Sequence, residues 1–303
     1  QQIRTRVGET AVRTWSGSFS ASESETRLVS SAGFDASLQS TQVSWHVTFN
    51  GEIGDGFAAR RLEPEAEFAA RLARLGELAA WVDRPAPAMT AGTHPVILHP
   101  RVVEDYVLET LLHHLEGSTV AHGEGRFRRD EFGAGEPRLR EDLGLRLDPL
   151  QPYRSGSYRF TSEGLPAARC TYIERGRLVQ PLLDLKYAHR LGLAPTPLPA
   201  ALDTLELSAA EIAGLPEALG AAAGGALVLA VLGVHTQDSA SGRFSLAAPQ
   251  VLRLGDDGRI AGRMRATISG SLFDVLSSDA LRLVAFPGET TPGMLFPCRL
   301  DPK

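Results

Sequence analysis

The chain has 303 residues, of which 43% are hydrophobic and 22% charged, with a formal net charge of −5. No apolar run reaches the roughly 18 residues that a membrane span needs, and two cysteines, Cys170 and Cys298, cannot build a disulfide framework or a four-cysteine zinc site. The negative charge argues against nucleic-acid binding, which needs clustered cationic surface. Neither a membrane nor a nucleic-acid partner is therefore expected. Of the 31 basic residues only Lys186 and Lys303 are lysines, a whole-chain bias that leaves single arginines little functional weight.

The opening Gln1-Gln2-Ile3-Arg4 lacks a basic-then-apolar leader pattern, and a cytoplasmic location is expected. Residues 27–34 read as a strand running into a glycine turn. Residues 43–49 alternate apolar and polar side chains, as a half-buried strand does. Residues 50–56 are dense in turn formers. A helix is predicted over 64–81, with proline in its first turn and Phe68, Leu72, Leu75 and Leu78 on one stripe. Residues 82–92, with alternating prolines, read as an extended linker without ladder hydrogen bonds, and the domain boundary falls near residue 92. Beyond it come a short strand at 95–98, a helix over 101–116 ended by Gly117, and a strand-rich stretch over 151–188. Residues 173–178 and 254–260 read as hairpin turns. The pattern Ser208-Ala209-Ala210-Glu211 has the form of a capping box and predicts a helix over 208–222. Strands fill most of the remainder.

The helix over 101–116 is the one segment with catalytic residue types at suggestive spacing. At 100° per residue, Asp105, Glu109, His113 and Glu116 share a stripe, and a carboxylate and an imidazole four apart can reach one divalent metal. The same stripe describes an ordinary solvated face with an i, i+4 pair, and on spacing alone that reading is the stronger. Cys170 and Cys298 read as buried structural thiols. His235 opens a polar loop, where it caps a turn or meets substrate. There is no Gly-x-Ser-x-Gly elbow and no phosphate-binding loop.

Several segments resemble the TldD/PmbA (TldE) family. Residues 232–248 are similar to the family's Gly-x-x-Asn-x-Thr-Gly-(Asp/Lys)-(Phe/Tyr)-Ser segment, and Ala266-Thr267-Ile268-Ser269-Gly270-Ser271-Leu272 to its Thr-Ile-Ala-Gly-Asn-Leu. Residues 160–169 resemble Asp-Asp-Glu-Gly-x-Pro-Thr-x-Arg, and residues 184–192 resemble Asp-x-x-x-Ala-x-x-(Leu/Met)-Gly. Order and spacing agree over about residues 95–297. The resemblance implies an α+β fold: a shortened N-terminal α/β domain over 1–92, then a strand-rich C-terminal domain with a few helices over 93–303.

Catalytic members carry His-Glu-x-x-x-His on a helix, followed by Gly-Leu-Glu-Gly. Aligned on Leu115-Glu116-Gly117, this chain has Glu109 at the general-base position and His113 at the second zinc-ligand position. Leu108 stands where the first histidine would be, and leucine cannot coordinate a metal. The family's later cysteine ligand falls near residues 283–289, which contain none. The pattern resembles the non-catalytic PmbA/TldE branch. It implies a subunit with an incomplete zinc site and no cofactor of its own, paired with a TldD-like, zinc-bearing catalytic subunit or self-associated. Such a pair encloses a channel for unfolded peptides, with His235, Thr236, Ser241, Gly242, Phe244 and Ser245 on this chain's wall. Two alternatives stay open. One is a self-sufficient metallopeptidase that binds zinc here through Glu109, His113 and Glu116 or His235. The other is a peptide-binding or maturation accessory protein with no protease attached.

Overall fold

The computed structural model describes residues 12–81, 83–234 and 241–303. Residues 12–79 form a sheet covered by a helix. Strands β1 (Trp15–Val29), β2 (Asp35–Phe49) and β3 (Ile53–Ala59) make an antiparallel meander. The predicted alternation in β2 sets its faces: Trp45, Val47 and Phe49 are buried and His46 is exposed. Asn50 and Gly51 both take positive φ, 54° and 68°, the conformation that lets a tight hairpin follow the strand twist. Helix α1 (Glu65–Ala79) lays Leu72, Leu75 and Ala79 on this face, and Phe68 meets Trp45 edge-on at 5.1 Å. The β1–β2 ribbon reaches across to the rest of the chain, where Phe34 at its tip packs edge-on against Phe160 at 5.4 Å.

The remaining strands are β4 (Gly92–Leu98), β5 (Gly144–Leu147), β6 (Cys170–Glu174), β7 (Arg177–Leu178), β8 (Leu205–Ser208), β9 (Ile212–Gly214) and β10 (Ala226–Leu232). They end with β11 (Arg243–Leu254), β12 (Ile260–Ser271), β13 (Arg282–Ala285) and β14 (Gly293–Pro302). The largest sheet runs β12-β11-β10-β4-β14-β13-β9, and β14 also pairs with β12. Strands β12, β11, β10, β4 and β14 therefore close into a ring, from which β13 and β9 extend. A smaller sheet runs β7-β6-β5-β8. With 22% of the described residues in helices and 40% in strands, the fold is α+β and strand-rich.

The ring is buried on both faces, which is why its central strands read as unbroken apolar runs. Val96, Leu98, Ala226, Val228, Met294 and Phe296 belong to the core that holds the helix after β4, while Ile97, Leu227 and Leu295 face the opposite side. That helix, α2, is continuous through Pro100–Val102, Val103–Leu108 and Glu109–Leu115, with π-helical hydrogen bonding over its middle six residues. Shorter helices follow: α3 (Gly117–His122), α4 (Leu185–Leu191), α5 (Leu215–Ala221) and α6 (Leu272–Leu276). Among the described residues, no helix is long and apolar enough to cross a membrane.

Three expectations are corrected. The helix predicted from residue 208 begins at Leu215: Ser208 ends β8 opposite Gly144, and residues 212–214 pair in parallel with 283–285. The proline stretch is not free of ladder bonds: Ala86 N–H donates to Arg263 O at 2.8 Å, and Arg263 N–H donates to Arg84 O at 2.7 Å. Proline on either side of Ala86 leaves that one N–H able to pair. Finally, residues 151–169 are mostly irregular, and the strands of the 151–188 stretch are confined to β6 and β7.

Candidate functional site

Helix α2 and the start of β11 form the region singled out by the sequence. Leu108 ends the π-helical segment at 1% exposure and packs in the main core. Glu109 lies next to it and is exposed. In α geometry, residues five apart are rotated by about 140°, so a helix that sends residue 108 inward turns residue 113 towards solvent. His113 is accordingly half-exposed, and its Nδ1 lies 3.6 Å from Glu116 Oε2. At Glu116 the backbone turns extended, with ψ 136°, and α3 starts anew at Gly117. Gly117 N–H donates to Leu182 O at 2.8 Å, and a Cβ there would lie 2.7 Å from Leu183 and 2.8 Å from Tyr187. The turn thus requires glycine for close approach, not for a catalytic role.

His114 faces the other way and is fully buried. Its Nδ1 accepts a hydrogen bond from Arg126 N–H at 2.8 Å, and its ring meets Phe273 edge-on at 4.7 Å. Phe273 is where the two predicted segments converge. Gly242, at φ 67°, presses on the same ring, which a Cβ would approach to 2.6 Å. Gly242 O also accepts from Leu272 N–H at 2.8 Å. Phe244 does not line a surface: it is buried, edge-on to Tyr106 of α2 at 5.4 Å. Along the same segment Ser241, Arg243 and Ser245 alternate outward. His235 and Thr236 lie outside the described residues.

Ser241 and Arg243 border a groove of about 560 Å³ that also takes in Arg126, Arg128, Glu131 and Asp274. Arg126 extends its guanidinium over Phe273, 5.9 Å from the ring centroid. Three arginines thus meet two carboxylates beside an aromatic face, an arrangement able to hold polar main chain and charged side chains of an extended ligand. The whole-chain arginine bias hid Arg126, Arg128 and Arg243 from sequence reasoning, because no spacing signal links residue 126 to residue 243.

The resemblance to a zinc-dependent family implies zinc, and the donor set here does not fit it. Leu108 has no lone pair and faces the core. Among the described residues, no three His, Cys, Asp or Glu side chains are grouped so as to hold a metal ion. Cys170 and Cys298 are both buried. Burial pushes the Cys170 thiol up to about 11 and the Cys298 thiol up to about 12, so neither is a ready thiolate.

Residues 91–285 match the family described as PmbA/TldA metallopeptidase C-terminal domain. Among solved structures, TldE from Thermococcus kodakarensis shares 19% identity and a TM-score of 0.74, over 94% of this chain and 68% of that one. A candidate modulator of DNA gyrase from Bacteroides thetaiotaomicron shares 16% identity and a TM-score of 0.78, over 100% of this chain and 71% of that one. A candidate modulator of a DNA gyrase from Thermotoga maritima shares 20% identity and a TM-score of 0.75, over 100% of this chain and 73% of that one. At these identities the likeness is one of fold. No curated protein matches the sequence.

Proposed function

The chain belongs to the PmbA/TldD metallopeptidase family, and from that membership we propose that it is a TldE-like subunit that acts on unfolded peptides together with a TldD-type catalytic partner. The observation that carries the reading is Leu108, which occupies the first-ligand position of the family's zinc helix and is buried in the core. Glu109 and His113 remain at their family positions, Glu109 exposed and His113 half-exposed, and among the described residues no three potential ligands are grouped there. The chain's own contribution is then to hold substrate. The groove beside Ser241 and Arg243 lies at the start of a strand whose outward side chains alternate, which suits an extended peptide bound mainly through its backbone. Residues 1–92 and 93–303 are the two domains of this subunit, working in the cytoplasm as one half of a dimer.

The test is peptide hydrolysis by the isolated chain. An unfolded peptide stays intact with the chain alone and is cleaved once a TldD-type partner is added. Chelator-sensitive cleavage by the chain alone overturns the reading and directs attention to Glu109, His113 and Glu116.

A further inference from the structure

A second cavity, about 330 Å³ in volume, lies between α1, the ring and α5, away from the groove at Phe273. Its size sits at the lower end of the roughly 300–1,000 Å³ typical of small-molecule sites, and junctions between units are where such sites occur. Its walls are apolar: Leu78, Trp81, Leu219, Leu227, Leu229 and Phe286. Of the polar groups in its lining, most are already engaged: Arg101 donates to Gly54 O, and Gln250 Nε2 donates to Glu52 O. Asp55 pairs with Arg101 and lies 3.6 Å from Arg71, while Glu289 pairs with Arg71 at 2.9 Å. Glu77 is exposed.

Two groups are left over. Arg74 is half-buried and makes no hydrogen bond or ion pair among the described residues. It lies against Gly288, where a Cβ would come within 2.6 Å of the guanidinium, so the missing side chain makes room for it. His99 lines the same cavity and stands edge-on to Phe286 at 5.0 Å. Its Nδ1 accepts from Arg101 N–H at 3.3 Å, which leaves the proton of the neutral ring on Nε2 as a donor. Burial, with the Arg101 and Arg71 charges adding to it, pushes His99 down to about 3, so the ring is neutral at physiological pH. An uncommitted cation and an uncommitted N–H donor therefore line one largely apolar chamber.

We propose that this cavity binds a small monocarboxylate with an apolar chain, its carboxylate on Arg74 and His99 Nε2–H and its chain against Leu78, Leu219 and Leu229. A fatty acid and the C-terminal end of an apolar peptide share this chemistry. The site is independent of the metal question at α2.

Octanoate and N-acetyl-leucine, titrated into the full chain by calorimetry, represent the two sources, with octylammonium as the opposite-charge control. At least one carboxylate is expected to bind saturably at a single site, and the one that binds identifies the source. Arg74→Gln weakens that binding about tenfold or more, the usual loss for a charge-assisted hydrogen bond. Leu219→Trp, which fills the chamber from its wall, abolishes binding, and unchanged thermal melting shows that both variants fold. Saturable binding by neither carboxylate, equal affinity in Arg74→Gln, or octylammonium binding as tightly as the carboxylates overturns the proposal.

Discussion

Arg71 ties α1 to the loop before β14. It is 8% exposed and pairs with Glu63 at 3.1 Å and Glu289 at 2.9 Å, with Asp55 at 3.6 Å; its Nη2 also donates to Gly288 O at 2.9 Å. Removing one member of a buried ion cluster leaves its partners charged and unpaired, which costs far more than the cluster itself contributes. Arg71→Ala is therefore expected to destabilise the protein by about 3–5 kcal/mol, measured by urea unfolding. A loss under ~1 kcal/mol, in the range of surface pairs, contradicts the burial argument. Glu104 provides a pH-dependent counterpart. Burial pushes its carboxyl up, against the opposing hydrogen bond that Thr291 Oγ1 donates at 2.5 Å. A carboxyl raised on folding holds its proton more tightly in the folded state. Its stabilising contribution is full below the unfolded value of roughly 4.3 and is lost as pH rises through the folded value. Glu104→Gln keeps an oxygen for Thr291 and removes the charge. It is expected to be more stable than the parent at pH 7, with the gap closing towards pH 4 in denaturant melts. A parent more stable than the variant at pH 7 reverses the sign and contradicts this reading.

At the scale of the element, α2 determines what the family motif can do in this chain. Its π-helical middle and α-helical end direct Leu108 inward and Glu109 and His113 outward. Restoring the histidine is consequently not expected to restore a site. Leu108→His buries a polar ring in an apolar core and costs about 2–5 kcal/mol by thermal or urea unfolding, without gain of bound zinc. Zinc bound by that variant at unchanged stability shows that position 108 reaches the same face as His113. Sequence reasoning located this helix, its Gly117 end and its charged stripe, because periodicity and glycine placement are local signals. The π-helical bonding left no such trace, since a shift in hydrogen-bond register depends on packing rather than residue type. The same limit explains the false start at Ser208. A Ser-x-x-Glu pattern suits a helix cap, yet Ser208 pairs with Gly144 and Ile212 with Leu283, partners some 60 to 70 positions away. The alternating β2 and the Arg175–Gly176 turn, with φ 52° and 71°, were legible because their geometry is set by neighbours in sequence.

For the whole molecule, the closed ring is the organising feature. One face holds α2, whose Tyr106 meets Phe244 of β11; the other holds α5 and the apolar chamber beside α1. The α+β class and the strand-rich second part follow from segment patterns, but ring closure rests on β14 pairing with both β4 and β12. Since β14 also pairs with β13, it has three partners, and nothing in a single strand announces a third. Convergence of the helix and loop segments on Phe273 was equally hidden, since residue 273 carries no motif of its own. The chain has the family's fold, and the central proposal is that it lacks the family's metal. Zinc per chain, measured by elemental mass spectrometry on protein purified alone without chelators or a metal-binding tag, tests it most directly. The account predicts zinc close to none, and a stoichiometry near one per chain contradicts it.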